Sequence, residues 1–293
     1  MILRICLWLI LVPSISSTVY SADLLQWRLS TGDSLRYVIQ NEMLTTADVG
    51  GFESKSRLIQ TMQLAWDVRT LTASRSYVVS QVIDRIRVEM SPSEEKSVVF
   101  DSGSRDVPDD LIARSIGNVF RKLVGREFTV TMAPTGVIQD VVIPEDLLKT
   151  LKTAAFGTPN GLDDKSLEKM LSQTSVILPA NSVDIGDRWQ SQQSVELPFA
   201  TLHMDANMTY RGIDDDGLAV IDYAPTVTLK PKKNAPIQLT LRDSLGSGKV
   251  LFDKDQGHVV RMQLKLEMDM ETTVQGQQVL QTIRQQTIMS LQK

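Results

Sequence analysis

The most regular signal along the chain is strict alternation of apolar and polar residues. Val260, Met262, Leu264, Leu266, Met268 and Met270 alternate with Arg261, Gln263, Lys265, Glu267, Asp269 and Glu271. That is the pattern of a strand with one face in a core and one in water; a helix would scatter the same residues around its axis. Gly276 turns the chain, and Val279 to Leu291 is the partner strand of a C-terminal hairpin. The pattern recurs upstream. Leu202, Met204, Ala206, Met208 and Tyr210 alternate with polar residues, Gly212 to Gly217 is a turn, and Leu218 to Leu229 returns beside them. Leu58, Met62, Leu64, Trp66 and Val68 share one strand face, and Val78, Val82, Ile86, Val88 and Met90 share the next. Further strands are expected at Leu35–Leu44, Ser97–Asp101, Phe128–Ala133, Val137–Val142, Trp189–Leu197, Ile237–Leu241 and Lys249–Phe252.

Helical spacing interrupts this pattern. After Pro108-Asp109-Asp110, Leu111, Ile112, Ile116, Val119, Phe120 and Leu123 form one stripe, which Gly125 ends. Proline suits a first helical turn, and carboxylates complement a helix N-terminus. Two more helices are expected, from Pro144 to Ala155 and from Asp163 to Gln173, separated by the loop Gly157-Thr158-Pro159-Asn160-Gly161. The expected fold is mainly β (α+β), with two antiparallel, curved β-units and short helices between and beside them. The division reads as a signal peptide over residues 1–21, a β-rich unit over 22–143 with a helical insertion near 108–123, a helical bridge over 144–180, and a second β-rich unit over 181–293. Gly32-Asp33 and Gly186-Asp187 each open a strand, and hairpins at Phe128–Ile138 and Leu251–Val259 resemble each other. The two units therefore read as a degenerate duplication.

The first segment reads as an address. Arg4 precedes the apolar run Ile5–Ile15, and small residues follow up to Ala22. The run is too short for a membrane span, which needs ~20 apolar residues. Val19 and Ser21 suit cleavage after Ser21, whereas a cut after Ala22 would put bulky Tyr20 at the −3 position. The expected location is periplasmic or secreted, with no transmembrane segment in the mature chain. The single cysteine, Cys6, lies before most of the apolar run. It is therefore not a lipidation site, and the mature chain has no thiol for a disulfide, metal or nucleophile.

Composition removes further classes. With Lys+Arg 31 against Asp+Glu 35, the net charge is −4, so there is no basic footprint for nucleic acid. Only His203 and His258 could supply imidazole ligands, too few with no thiolate for a zinc site. Asp253–Gly257 and Asp214–Gly217 read as hairpin turns rather than calcium loops. Gly246-Ser247-Gly248-Lys249 lacks the upstream glycine and the following hydroxyl of a phosphate loop and reads as a flexible turn. No nucleophile–base pair is apparent, so the chain reads as no enzyme, without cofactor or metal.

Methionine is the residue that remains. It occurs 12 times, largely on apolar strand faces, and thioethers adapt to irregular apolar shapes. Met62, Trp66, Met204, Met208, Met262 and Met268 are the candidate lining of a concave apolar face. The expected function is a non-enzymatic extracytoplasmic binding protein for an apolar or lipid-like ligand. The alternative is a cell-envelope module with a filled core that docks another protein.

The exported start, the Gly-Asp strand openings, the hairpin at Phe252–Val259 and the long closing strands resemble a domain-of-unknown-function family of exported, β-rich bacterial proteins and lipoproteins. The resemblance spans most of residues 24–293. It implies no catalytic residues, and the chain departs from the lipoprotein members in lacking a lipidation cysteine. At the level of fold, long curved strands beside helices are similar to the half-barrels of periplasmic lipoprotein carriers.

Overall fold

A computed structural model describes residues 22–93, 96–105, 110–146, 148, 175–196, 200–232, 238–274 and 277–292. The expected signal peptide, and nearly all of the two expected helices between Pro144 and Gln173, lie outside the described residues. Among the described residues, the strands are β1 (Ser34–Val49), β2 (Phe52–Leu71), β3 (Tyr77–Ser93), β4 (Lys96–Asp101), β5 (Glu127–Met132), β6 (Ile138–Val142), β7 (Arg188–Glu196), β8 (Ala200–Ile213), β9 (Ala219–Pro231), β10 (Gln238–Asp253), β11 (His258–Val274) and β12 (Gln277–Leu291). The first expected helix is present as α1 (Leu111–Leu123).

The fold is mainly β, and its strands run into one antiparallel sheet in the order β6-β5-β3-β2-β1-β12-β11-β10-β9-β8-β7, with β4 pairing β3 beside this path. The two expected units, whose arrangement the sequence leaves open, therefore share one sheet. The join is the ladder between the first and last strands, where Tyr37 faces Leu291 and Val49 faces Val279.

Two local expectations change. Gly246-Ser247-Gly248-Lys249 is not a turn: it lies inside β10, which joins the two strands expected at Ile237–Leu241 and Lys249–Phe252. The glycines mark a close approach. A Cβ on Gly246 would lie 2.4 Å from Pro225 Cγ, and one on Gly248 would lie 2.5 Å from the Gln263 carbonyl oxygen. Pro225 has no N–H to donate, and regular β9–β10 pairing extends from Ala219–Phe252 to Tyr223–Gly248. Beyond it, the Ser244 hydroxyl donates to the Val227 carbonyl at 2.9 Å and accepts the Val227 N–H at 3.0 Å. One side chain thus replaces ladder bonds that the backbone does not make.

The core sits at one end of the sheet, around an extended segment that belongs to none of the strands. Leu25, Trp27 and Leu29 are buried in alternation there. Trp27 stands 5.7 Å from Trp66 and 6.0 Å from Phe252, ring centre to ring centre, and Tyr37 meets Trp66 at 5.5 Å. The polar groups of this segment are satisfied across the chain. Trp27 N–H donates to the Pro134 carbonyl at 2.8 Å, Arg28 N–H to Gly257 at 2.9 Å, and Tyr77 OH to the Trp27 carbonyl at 2.7 Å. Gly257 has a positive φ of 70°, and a Cβ there would lie 2.3 Å from Arg28 Cβ. This turn needs glycine both for its backbone and for the segment pressed against it.

The two Gly-Asp strand openings are built alike. Asp33 Oδ2 accepts Ser30 N–H at 2.7 Å, and Asp187 Oδ2 accepts Asp184 N–H at 2.9 Å. Gly32 N–H donates to Val68 as Gly186 N–H donates to Tyr210, and Val68 and Tyr210 N–H return to Asp33 and Asp187. Helix α1 covers β4 instead. Its first turn is capped by Asp110 Oδ1, which accepts Ala113 N–H at 3.2 Å. Gly117 sits against the Phe100 ring, and Phe120 stacks on that ring at 6.3 Å.

Candidate functional site

Register joins the candidate residues onto one face. Cross-strand partners in an antiparallel ladder point to the same side. Reading across the sheet, Ile86, Met62, Ile39, Met289, Met262, Val250, Ile221 and Tyr210 form one row from β3 to β8. Tyr37 lies on this face, which is therefore the inner one. Met208 belongs to it through Tyr223, Gly248 and Leu264. Met268 belongs to it through Ile283 and Ser244, and Met204 pairs with Val227, the residue that Ser244 binds. Trp66 pairs with Leu35 on the same side.

Their surroundings differ. Trp66 and Met208 are buried at 2% and 1% exposure and pack in the core. Met62, Met204, Met262 and Met268 are half-buried, and Met262 packs against the core from its margin. The Trp66 indole N–H and the amide N–H of its register partner Gln81 are buried with no partner among the described residues.

Beyond the core, the sheet continues among the described residues as a single layer. Among the described residues, no residue is buried in 40–49 of β1, 52–63 of β2, 239–249 of β10, 260–273 of β11 or 278–291 of β12. This arm is ~30 Å long at ~3.3 Å per residue. Its inner face carries Met43, Leu58, Leu266, Met268, Met270 and Ile283, and its outer face carries most of the charge. Outer-face pairs hold strands to their neighbours: Arg57–Glu42 at 2.7 Å, Arg284–Glu267 at 2.8 Å and Arg242–Glu271 at 2.5 Å. The alternation of single strands could not join Met43 and Leu58 to Met268, because the joining information is the register between strands.

Two hollows among the described residues lie away from the candidate methionines. One of about 400 Å³ opens on the outer face of the arm, among Leu44, Leu245, Lys265, Glu267 and Arg284. Another of about 650 Å³ lies among Ile138, Ile177, Ser191, Gln193, His203, Asp205 and Lys230. Both lie in the ligand-pocket size range of ~300–1,000 Å³. His203 lines the second and is half-buried; His258 opens β11. Among the described residues, no group of three or more His, Cys, Asp or Glu side chains could hold a metal ion.

The perturbed titrating groups sit at structural joints. Burial works to raise the Asp23 pKa, but hydrogen bonds from Tyr210 OH at 2.6 Å and Lys254 Nζ at 3.0 Å outweigh it and hold the carboxyl below its usual range. Burial, then the Asp23 carboxylate, pushes the Tyr210 phenol up. Hydrogen bonds from Arg85 bring Asp101 down to about 2, against the opposing effect of burial. The Arg85 bonds measure 3.0 and 2.6 Å.

This arrangement defines a class: a long antiparallel β-sheet wrapped at one end around an extended segment and open as a single amphipathic layer at the other. The chain belongs to a family of unknown function, DUF6263, whose profile matches residues 74–282. No curated protein matches it in sequence. A structure described as "Lipid-protein interactions in lipovitellin" is similar with a TM-score of 0.53 and 11% identity, covering 91% of this chain and 26% of that one. The likeness is therefore one of fold, and the chain spans about a quarter of that longer chain. An outer membrane channel from Pseudomonas putida F1 is similar with a TM-score of 0.26 and 8% identity over 95% of this chain and 100% of that one. Among the described residues, no helix is long and apolar enough to cross a membrane.

Proposed function

We propose that this is a non-enzymatic, extracytoplasmic binding protein for an apolar or lipid-like ligand. The ligand lies against the inner face, where Met62 and Met262 at the core margin lead to Met268 in the arm, with Met204 beside them. Trp66 and Met208 form the floor that keeps this face in shape. The observation that carries the reading is the arm, a single layer among the described residues. Its inner face carries Met43, Leu58, Leu266, Met268 and Ile283 beside the hydrogen-bonded Asn41, Gln285 and Thr287, its outer face carries most of the charge, and none of its described residues is buried. A lone amphipathic sheet leaves apolar surface in water, and covering it is favourable by ~25 cal/mol per Å². Similarity in fold to a lipovitellin structure described for its lipid–protein interactions adds support. The Arg4–Ala22 segment supports export. The matching hydrogen bonds at the two Gly-Asp openings support a duplicated ancestry for the two halves.

The test is binding of an uncharged fluorescent apolar probe, such as N-phenyl-1-naphthylamine, to the chain purified without detergent. A Met62→Gln/Met204→Gln/Met268→Gln variant is expected to bind at least about tenfold more weakly, given ~0.8 kcal/mol for each buried methylene equivalent lost. Unchanged affinity in a folded variant overturns this placement. No uptake at all, with a clean apo mass in native mass spectrometry, favours the protein-docking alternative.

A further inference from the structure

We propose that the tip of the β1–β2 hairpin, Val49-Gly50-Gly51-Phe52, is a membrane-contact element that seats the arm on a lipid bilayer. This inference rests on the ligand reading above and names the surface with which that site exchanges its ligand.

Phe52 is 83% exposed and Val49 39%, and they face each other across the two-residue turn. Gly50 and Gly51 both have positive φ, 61° and 91°, as a tight hairpin turn that follows the strand twist requires. Among the described residues, nothing lies within 4 Å of a Cβ built on either glycine. Asp48 Oδ1 accepts the Gly51 N–H at 2.8 Å and fixes the loop. The Phe52 ring is thus held on a rigid, protruding turn, so that little conformational freedom is lost when it is buried.

The surroundings select the partner. A protruding apolar ring fits a fluid apolar medium without needing a matching pocket, and phenylalanine is among the residues that interfacial segments bury at the headgroup–acyl boundary. Most of the nearby charge cancels, Lys55 pairing with Glu53 at 3.0 Å and Arg242 with Glu271, and the Asp48 carboxylate leaves a slight acidic excess. A rim without basic excess is compatible with a zwitterionic headgroup layer and gains nothing from an anionic one. One phenylalanine and one valine fall far short of the ~1,000 Å² that a specific protein interface buries, which disfavours a second copy of the chain. The tip row also continues inward: Phe52, Val49, Val279, Thr272 and Leu239 lie side by side on the inner face, so bilayer contact at the rim opens onto the proposed ligand face.

The experiment is co-flotation of the full chain with phosphatidylcholine vesicles at low and high salt. The wild type is expected to float at both, Phe52→Ser to partition roughly tenfold or more weakly, and Phe52→Leu to keep most of the binding. The proposal is overturned by any of four outcomes. These are absence of flotation, flotation of Phe52→Ser equal to wild type, flotation that requires anionic lipid and vanishes at high salt, or a wild-type dimer that Phe52→Ser converts to monomer. Probe binding measured without vesicles reports on the ligand face alone, so either idea can fail while the other stands.

Discussion

Strand β1 passes through two environments. Tyr37 is fully buried at its start, donating its hydroxyl to the Val259 carbonyl at 3.0 Å with its ring against Trp66. Met43, farther along the same face, is half-buried and has no place in the packed core among the described residues. Backbone pairing is equally regular in both places, since each residue from Tyr37 to Val49 keeps a partner on both β2 and β12. The packed end is therefore held by side-chain burial added to the ladder, and the arm by the ladder and its cross-strand pairs alone. A hydrogen-bond ladder fixes shape, and burial supplies most of the stability.

The sharpest way to break this comparison is truncation at each end. Trp27→Ala is expected to cost about 3–5 kcal/mol, the range for a large aromatic lost from a packed core. Met268→Ala, in the arm, is expected to cost under about 1 kcal/mol, close to a surface substitution. Urea denaturation of both variants decides the matter, and similar losses would mean that the arm is covered in the free protein. Glycine offers a second contrast. Gly257→Ala combines a left-handed backbone with a collision against Arg28 and should lose about 2–4 kcal/mol. Gly50→Ala carries the backbone penalty only and should lose about 1–2 kcal/mol.

Hydrogen exchange sharpens the comparison within one strand. The amides of Leu35–Ile39 should exchange at least about tenfold more slowly than those of Met43–Ala47. Saturating apolar probe should narrow that gap, and a gap that does not move would place the ligand elsewhere. The smallest effect is expected in acid. Asp101 titrates at about 2 in the folded protein, below its ordinary value of 3.8. Its contribution is complete above about pH 4 and is lost as pH falls toward 2. Asp101→Asn should flatten that limb of the stability curve, and an unchanged limb would assign acid sensitivity to other carboxylates.

The legible parts of this fold are local. Alternation marks β11 and β8, the helical stripe marks α1, and the Gly-Asp pairs mark the openings of β1 and β7, because each depends on neighbours in sequence. The misread segment at Gly246–Lys249 shows the limit: glycine marks either a turn or a close approach, and only Pro225 on another strand distinguishes the two. Leu25, Trp27 and Leu29 alternate as a strand does, yet they fill the core from outside the ladder, and nothing local marks them as its centre. The candidate methionines share a face as their patterns suggest. Register, a long-range property, then divides them among core, margin and arm.

The ladder between β1 and β12 gives the molecule a seam. Tyr37 meets Leu291 there, and Gln292 N–H closes onto the Arg36 carbonyl at 2.7 Å. The middle of the sheet is thus zipped by the two most distant parts of the described chain, the pairing with the greatest loop-closure cost and the slowest to form. Until the last strand arrives, β1 and β11 present long unpaired edges, the kind of template on which chains join to one another. A chain cut before Gln277 would keep both edges permanently. Its fate would be association with other copies, not merely a shortened sheet.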